Sequence, residues 1–225
     1  MQTKQKQKRI RKITRLLDKA YGRHSFHERG TIKPIDALVM TILSQNTSDR
    51  NSYRAFSGLR KKFRNWNAAL KAPTRKIAAS IRVGGLANIK AMRIKRVLRE
   101  IIERRGNLDL SFLGSMELKE AKAWLRSLEG VGPKTAAIVL CFCFGMPAMP
   151  VDTHIFRVSK RLGLIGAKTS YERAHDELEA LVPPRDIISF HVNLISLGRR
   201  VCKPHDPKCC ECSLNSLCPS AFKIP

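Results

Sequence analysis

The stretch that most limits what this chain can fold into is LEGVGPKTA, Leu128 to Ala136. Leu118, Ala121, Leu125 and Leu128 run into it at helical spacing, with Ser115 placed to cap that helix. TAAIVLCFCFG runs out of it, apolar on all sides, as expected of a helix buried in a core. A reversal this tight calls for glycine at Gly130 and Gly132, where backbone with φ > 0 and no Cβ in the way is needed. Pro133 suits the first helical position. The Gly130–Val131–Gly132 turn should therefore leave free N–H groups at the positive end of a helix dipole, a place for a phosphate. Lys134 shares that corner, where a partly desolvated amine becomes a nucleophile. As a plain connector the turn would hold only two helices, and Lys134 would be one more surface cation.

Beyond Pro147 and Pro150, VDTHIFRV (Val151 to Val158) opens another helix, expected over Thr153 to Leu162. Asp152 stands at its N-cap, and the proline loop could return its carboxylate toward Lys134. The C-terminus reads CKPHDPKCCECSLNSLC, in which Cys202, Cys209, Cys212 and Cys218 follow C-x6-C-x2-C-x5-C. Thiols this close point to a metal site, and four thiolates suit zinc and a [4Fe–4S] cluster alike. A disulfide framework is the alternative, disfavoured because nothing marks the chain as secreted. Cys141 and Cys143 read as core residues and Cys210 as a free thiol.

The hairpin with Lys134, VDTHIFRV with Asp152 and the cysteine spacing, in that order, resemble the endonuclease III family of base-excision DNA glycosylases, from about Ile35 to Cys218. The resemblance implies an all-α, two-lobed helix-hairpin-helix glycosylase fold, with a six-helix domain over 25–147. An iron–sulfur cluster domain would combine 1–24 with 148–225, the DNA cleft running between the lobes. It implies a [4Fe–4S] cluster on the four cysteines and a bifunctional reaction. Lys134 would displace a damaged base and form a Schiff base that cleaves 3′ to the abasic site by β-elimination, with Asp152 assisting. Gln45 would match the family glutamine that fills the space left by the flipped nucleotide, and Leu86 the wedge leucine; the plain alternatives are a helix-terminal polar residue and a core leucine. Ala87 stands where some relatives carry an aromatic residue. Arg199, Arg200, Lys203 and Lys208 around the cysteine loop would hold phosphates. The expected substrates are oxidised pyrimidines and abasic sites in double-stranded DNA, handled by a monomer in a prokaryotic cytoplasm, at the nucleoid. A noncatalytic DNA-binding protein with a zinc-stabilised tail is the contrasting class.

Charge agrees with a polyanionic partner: 43 lysines and arginines against 18 acidic residues give +25. The longest apolar run, Ala136 to Met146, is too short to span a bilayer. The lysine-rich start has no apolar core of a secretory signal; it reads as a frayed terminus leading into a helix with Ile10, Ile13, Leu16 and Leu17 on one face. Helices are also expected from Pro34 to Ser44, after SQNTSDR, from a Thr74 cap through Arg82, after GLANIKA, and over Ser170 to Leu181 and Arg185 to Leu197.

Overall fold

The computed structural model describes residues 2–26 and 32–224, with side chains from Gln5 onward. Among the described residues there is no strand, and the chain divides into two compact units. One is Thr31–Phe144; the other joins Met1–Gly30 to Gly145–Pro225.

In the unit Thr31–Phe144, α2 (Pro34–Ser44) packs against α3 (Asp49–Lys62), α6 (Ala87–Arg105) and α8 (Pro133–Phe144). The short α4 (Trp66–Lys71) and α5 (Thr74–Ser80) lie on α6, and α7 (Leu118–Arg126) lies on α8. Pro34 begins α2, where its missing N–H costs nothing. The stripe Leu38, Val39, Ile42 and Leu43 then meets Leu59, Ile94, Leu98, Val139 and Leu140, all fully buried. Seen from the core, α8 buries residues around most of its circumference, including Cys141 and Cys143, which accounts for its lack of a polar face. Ser48 and Asn65 cap α3 and α4 by accepting the N–H groups of Asn51 at 3.3 Å and Ala68 at 2.8 Å.

Two expected caps are corrected. Thr74 is the first residue of α5; the cap position belongs to Pro73, which has no side-chain acceptor, and α5 stops at Ser80 before a separate 3₁₀ turn, Arg82–Gly84. Ser115 closes a 3₁₀ helix, Ser111–Ser115, and spends its hydroxyl on the carbonyl of Phe112 at 2.8 Å, so Glu117 takes the cap position of α7. In both places a short 3₁₀ segment or a proline competes for the backbone that the cap would need.

In the other unit, α1 (Gln2–Tyr21) packs against α10 (Tyr171–Leu181) and α11 (Ile187–Arg200), and α11 packs against α9 (Thr153–Arg161). The helical part of the N-terminus begins at Gln2, earlier than a frayed start implies. Ile10, Ile13 and Leu17 join Phe190, Leu194 and Leu197 in the core. Asp18 crosses from α1 to α11, accepting from Ser189 at 2.6 Å and from Asn193 at 3.1 Å, while Arg23 pairs with Asp18 and Asp186. α11 begins at Ile187 because Pro184–Asp186 forms a 3₁₀ turn ahead of it.

Candidate nucleic-acid and catalytic site

α7 ends at Arg126, and the chain turns through Leu128 to Gly132 before Pro133 opens α8. Gly130 alone of the two turn glycines has positive φ, +82°; a Cβ there would also sit 2.7 Å from Cδ and Nε of Arg93. Gly132 has ordinary φ and open space where its Cβ would be, so the expectation of φ > 0 at both glycines is corrected: Gly132 serves only to leave the approach clear. Val131 is 4 % exposed and donates its N–H to Leu128 at 3.1 Å, so it anchors the turn from inside. The first N–H groups of α8 have no acceptor within their own helix, and the half-buried Lys134 stands in that first turn. Sequence reasoning missed the brace beneath: on α6, Arg96 pairs with Glu129, Glu100 accepts the Glu129 N–H at 3.0 Å, and Arg104 donates to the Ser127 hydroxyl at 2.6 Å.

Gln45 is the first residue beyond α2, in extended conformation, and accepts a hydrogen bond from the guanidinium of Arg93. Leu86 is held at φ +49°, ψ +35° directly after Gly85, itself at φ +67°. It is 51 % exposed. A leucine in left-handed backbone conformation and half in water is neither comfortable nor packed, which removes the core-leucine alternative. Lys90, one turn into α6, is buried to 1 % and donates to the carbonyls of Leu43 at 2.7 Å and Gly84 at 2.8 Å. Burial with no carboxylate beside it pulls its pKa below the ordinary lysine value.

In the other unit Asp152 caps α9: its Oδ1 accepts the Ile155 N–H at 2.8 Å, and the residue is 7 % exposed. The segment leading to it is held by its carbonyls. His175 Nδ1 donates to Met149 at 2.9 Å, His191 Nδ1 to Pro150 at 2.9 Å, and Tyr171 to Val151 at 2.7 Å. Burial, then the charge of Asp152, pushes the Tyr171 phenol up to about 12. These three side chains come from α10 and α11, and no local pattern in VDTHIFRV pointed to them.

Cys202, Cys209, Cys212 and Cys218 line one small cavity, together with Arg161 and Asn215. Arg161 donates to Cys202 Sγ at 3.3 Å and the Leu214 N–H to Cys212 Sγ at 3.4 Å. Burial raises the Cys212 and Cys218 thiols, backbone N–H groups lower them, and the charges of the neighbouring cysteines raise them again. As thiolates the four sulfurs would repel one another, and a cationic group bound to all four would remove that cost. Among the described residues no three His, Cys, Asp or Glu side chains converge as a single ion requires. Cys210 is exposed and off the cavity, and Cys141 and Cys143 are buried in α8. The loop is also pinned by Arg157, which donates to Cys202 O at 2.9 Å and Gly198 O at 2.8 Å, and by Arg9, which donates to Leu217 O at 2.8 Å. Arg199, Arg200, Lys203 and Lys208 are all exposed, and Lys208 pairs with Glu211 at 2.9 Å.

A buried-core helix entered through a glycine hairpin, with an amine at its opening, defines a helix-hairpin-helix protein, and residues 39–184 match the family model for HhH-GPD superfamily base excision DNA repair proteins. An Arabidopsis thaliana protein whose name assigns it as a DNA glycosylase is 36% identical over 187 residues, which span 83% of this chain and 61% of that one. Endonuclease III of Sulfolobus acidocaldarius is 34% identical over 183 residues, 80% of this chain and 79% of its own length. A solved structure of a trapped endonuclease III–DNA covalent intermediate, an estranged-adenine complex, superposes with a TM-score of 0.79 at 29% identity, covering 96% of this chain and 97% of the other. The chain belongs to the endonuclease III family of this superfamily, and it is a base excision DNA glycosylase. No described helix is long and apolar enough to cross a membrane.

Proposed function

We propose that this enzyme is bifunctional, removing oxidised pyrimidines from duplex DNA and cleaving the strand at the resulting abasic site. The observation that carries this reading is the amine of Lys134 on the first turn of α8, beside helix-opening N–H groups that suit a phosphate. The Gly130 hairpin holds the backbone of the damaged strand while the nucleotide is turned out of the stack, and Gln45 and Leu86 occupy the space it leaves. Lys134 Nζ attacks C1′; the C1′–N bond breaks, and the base leaves with the electron pair and takes up a proton. Breaking of the C1′–O4′ bond, with the ring oxygen taking up a proton and the lysine nitrogen giving its lone pair, opens the sugar to the iminium. Removal of a C2′ proton then expels the 3′ phosphate, and water hydrolyses the imine to free the lysine. The Asp152 carboxylate stabilises the positive charge that builds on the sugar as the base departs.

The four cysteines would hold a [4Fe–4S] cluster, which supplies rigidity to the loop from Cys202 to Cys218. Four sulfurs bordering a common cavity supply the donor set that such a cluster takes. Arg199, Arg200 and Lys203 would lie against phosphates, with Lys208 contributing once released from Glu211. The unit Thr31–Phe144, which holds α2 to α8, would serve as the helix-hairpin-helix domain and the other as the cluster domain. The enzyme would work as a monomer in the cytoplasm of a prokaryotic cell.

Borohydride trapping on a duplex with one oxidised pyrimidine tests the reading, comparing wild type with Lys134→Ala. An adduct with wild type alone is expected. Base release without an adduct in wild type would overturn the lysine mechanism and leave a monofunctional glycosylase.

A further inference from the structure

We propose that Lys90 is a positioning residue that locks the Gln45 and Leu86 segments into one pre-set frame, so that both probes enter the duplex together. The inference rests on the duplex-filling roles given to Gln45 and Leu86 above.

The geometry begins with a lysine where a lysine should not be. ANIKAMRIKRVLREIIERR reads as an amphipathic helix whose cations belong in water, yet Lys90 is buried to 1 %. Its ammonium donates to Leu43 O at 2.7 Å and to Gly84 O at 2.8 Å. Leu43 lies in the last turn of α2, two residues before Gln45, where carbonyls have lost their helical partners and the dipole favours a cation. Gly84 ends the 3₁₀ turn two residues before Leu86. One charge therefore ties together the backbone just upstream of each probe, segments 41 residues apart in sequence.

The frame has a second tie. Arg93, three residues on along α6, donates to the Gln45 side chain and fills the space beside Gly130 where a Cβ would fall. Lys90 and Arg93 face the same way on the helix. The start of α6 thus touches the Gln45 segment, the Leu86 segment and the hairpin turn, all inside the unit Thr31–Phe144. The left-handed conformation of Leu86 needs such a frame, because an isolated leucine leaves that conformation readily. A neutral apolar residue at position 90 would leave two buried carbonyls without donors, and the chain could satisfy them only by shifting one or both segments toward water.

The test is a double-mutant cycle. Lys90→Met, Leu86→Ala, Gln45→Ala and the Lys90→Met/Leu86→Ala pair are compared by single-turnover base release at saturating enzyme, well below each variant's melting temperature. 2-Aminopurine beside the lesion reports unstacking. Lys90→Met is expected to slow base release and reduce the 2-aminopurine signal by about tenfold, with affinity for undamaged duplex within about twofold of wild type. In the pair, loss of Lys90 should cost clearly less than it does alone, since the part of its effect that runs through Leu86 is already lost and only the part through Gln45 remains. Multiplicative losses, or a wild-type rate for Lys90→Met, would overturn the proposal and leave Lys90 a purely structural residue. If Lys90→Met does not fold, Lys90→Gln, which keeps a donor for one carbonyl, enters the same cycle under the same criterion. Wild-type unstacking in both Leu86→Ala and Gln45→Ala would instead sink the roles of those two residues, and the proposal with them.

Discussion

Asp152 caps α9, and a pair of substitutions separates that cap from the role proposed for its carboxylate in base release. As N-cap of α9 it accepts the Ile155 N–H at 2.8 Å from a position 7 % exposed, so Asp152→Ala leaves that donor buried without a partner. Cap removal costs about 0.5–2 kcal/mol, and an orphaned buried donor about 1–3 kcal/mol. These describe the same lost bond and are not added, so about 2 kcal/mol is the expected cost. For a chain of this size that lowers the melting temperature by roughly 4–8 °C. Asn caps as well as Asp, so Asp152→Asn should melt within a degree or two of wild type, about 0.5 kcal/mol at most. The carboxylate's charge is absent from both variants, and single-turnover base release should fall by about 10²–10³-fold in both. The assay is thermal denaturation followed by chromatographic detection of released base with enzyme in excess. Wild-type base release by Asp152→Asn would show that Asp152 is a cap and nothing more. An unchanged melting temperature for Asp152→Ala would refute the cap energetics instead.

Gly130→Ala places an L-residue at φ +82° and a methyl 2.7 Å from Arg93, so it should lose about 1–2 kcal/mol in thermal denaturation and weaken DNA binding in titrations. Equal stability would mean that the turn relaxes at no cost. Cys143 has its thiol pushed up to about 12 by burial and then by the charge of Asp36. The folded state therefore keeps a proton that the unfolded chain releases near pH 8.5. Stability from this group is complete below that pH and is lost as pH rises toward 12, by about 1.4 kcal/mol per pH unit. Denaturant melts of wild type and Cys143→Ala across pH 8 to 11 should show the steeper alkaline decline in wild type alone. Asn65→Ala, which removes a cap on α4, should cost about 1 kcal/mol, whereas Thr74→Ala should be near neutral because Thr74 caps nothing. A larger loss from Thr74 would reverse that assignment.

Where the relevant signal was local, it was legible. Pro34 with its apolar run, the hairpin from Leu128 to Pro133 and the Asp152 cap each depend on neighbours a turn away, so the elements they start lie where their patterns put them. Ser115 and Thr74 show the limit of that reasoning. Both have the chemistry of a cap, and both were displaced by a few residues of competing backbone, a 3₁₀ turn in one case and Pro73 in the other.

By itself the sequence determined the helical class, the charge that suits a polyanionic partner and the candidates for the reactive groups. Helical periodicity, net charge and the chemistry of Lys134, Asp152 and the four cysteines are properties of the chain as written. Only the tertiary structure decided what holds those groups in place. Lys90 stands in register with the apolar stripe of α6, four residues before Ile94, and only the carbonyls of Leu43 and Gly84 show why a cation is held there. His175, His191 and Tyr171 steady the approach to Asp152 from α10 and α11. Whether a polar side chain is an exposed cation or a buried tie depends on which distant backbone groups folding leaves unsatisfied beside it, and a one-dimensional pattern carries no record of those distances.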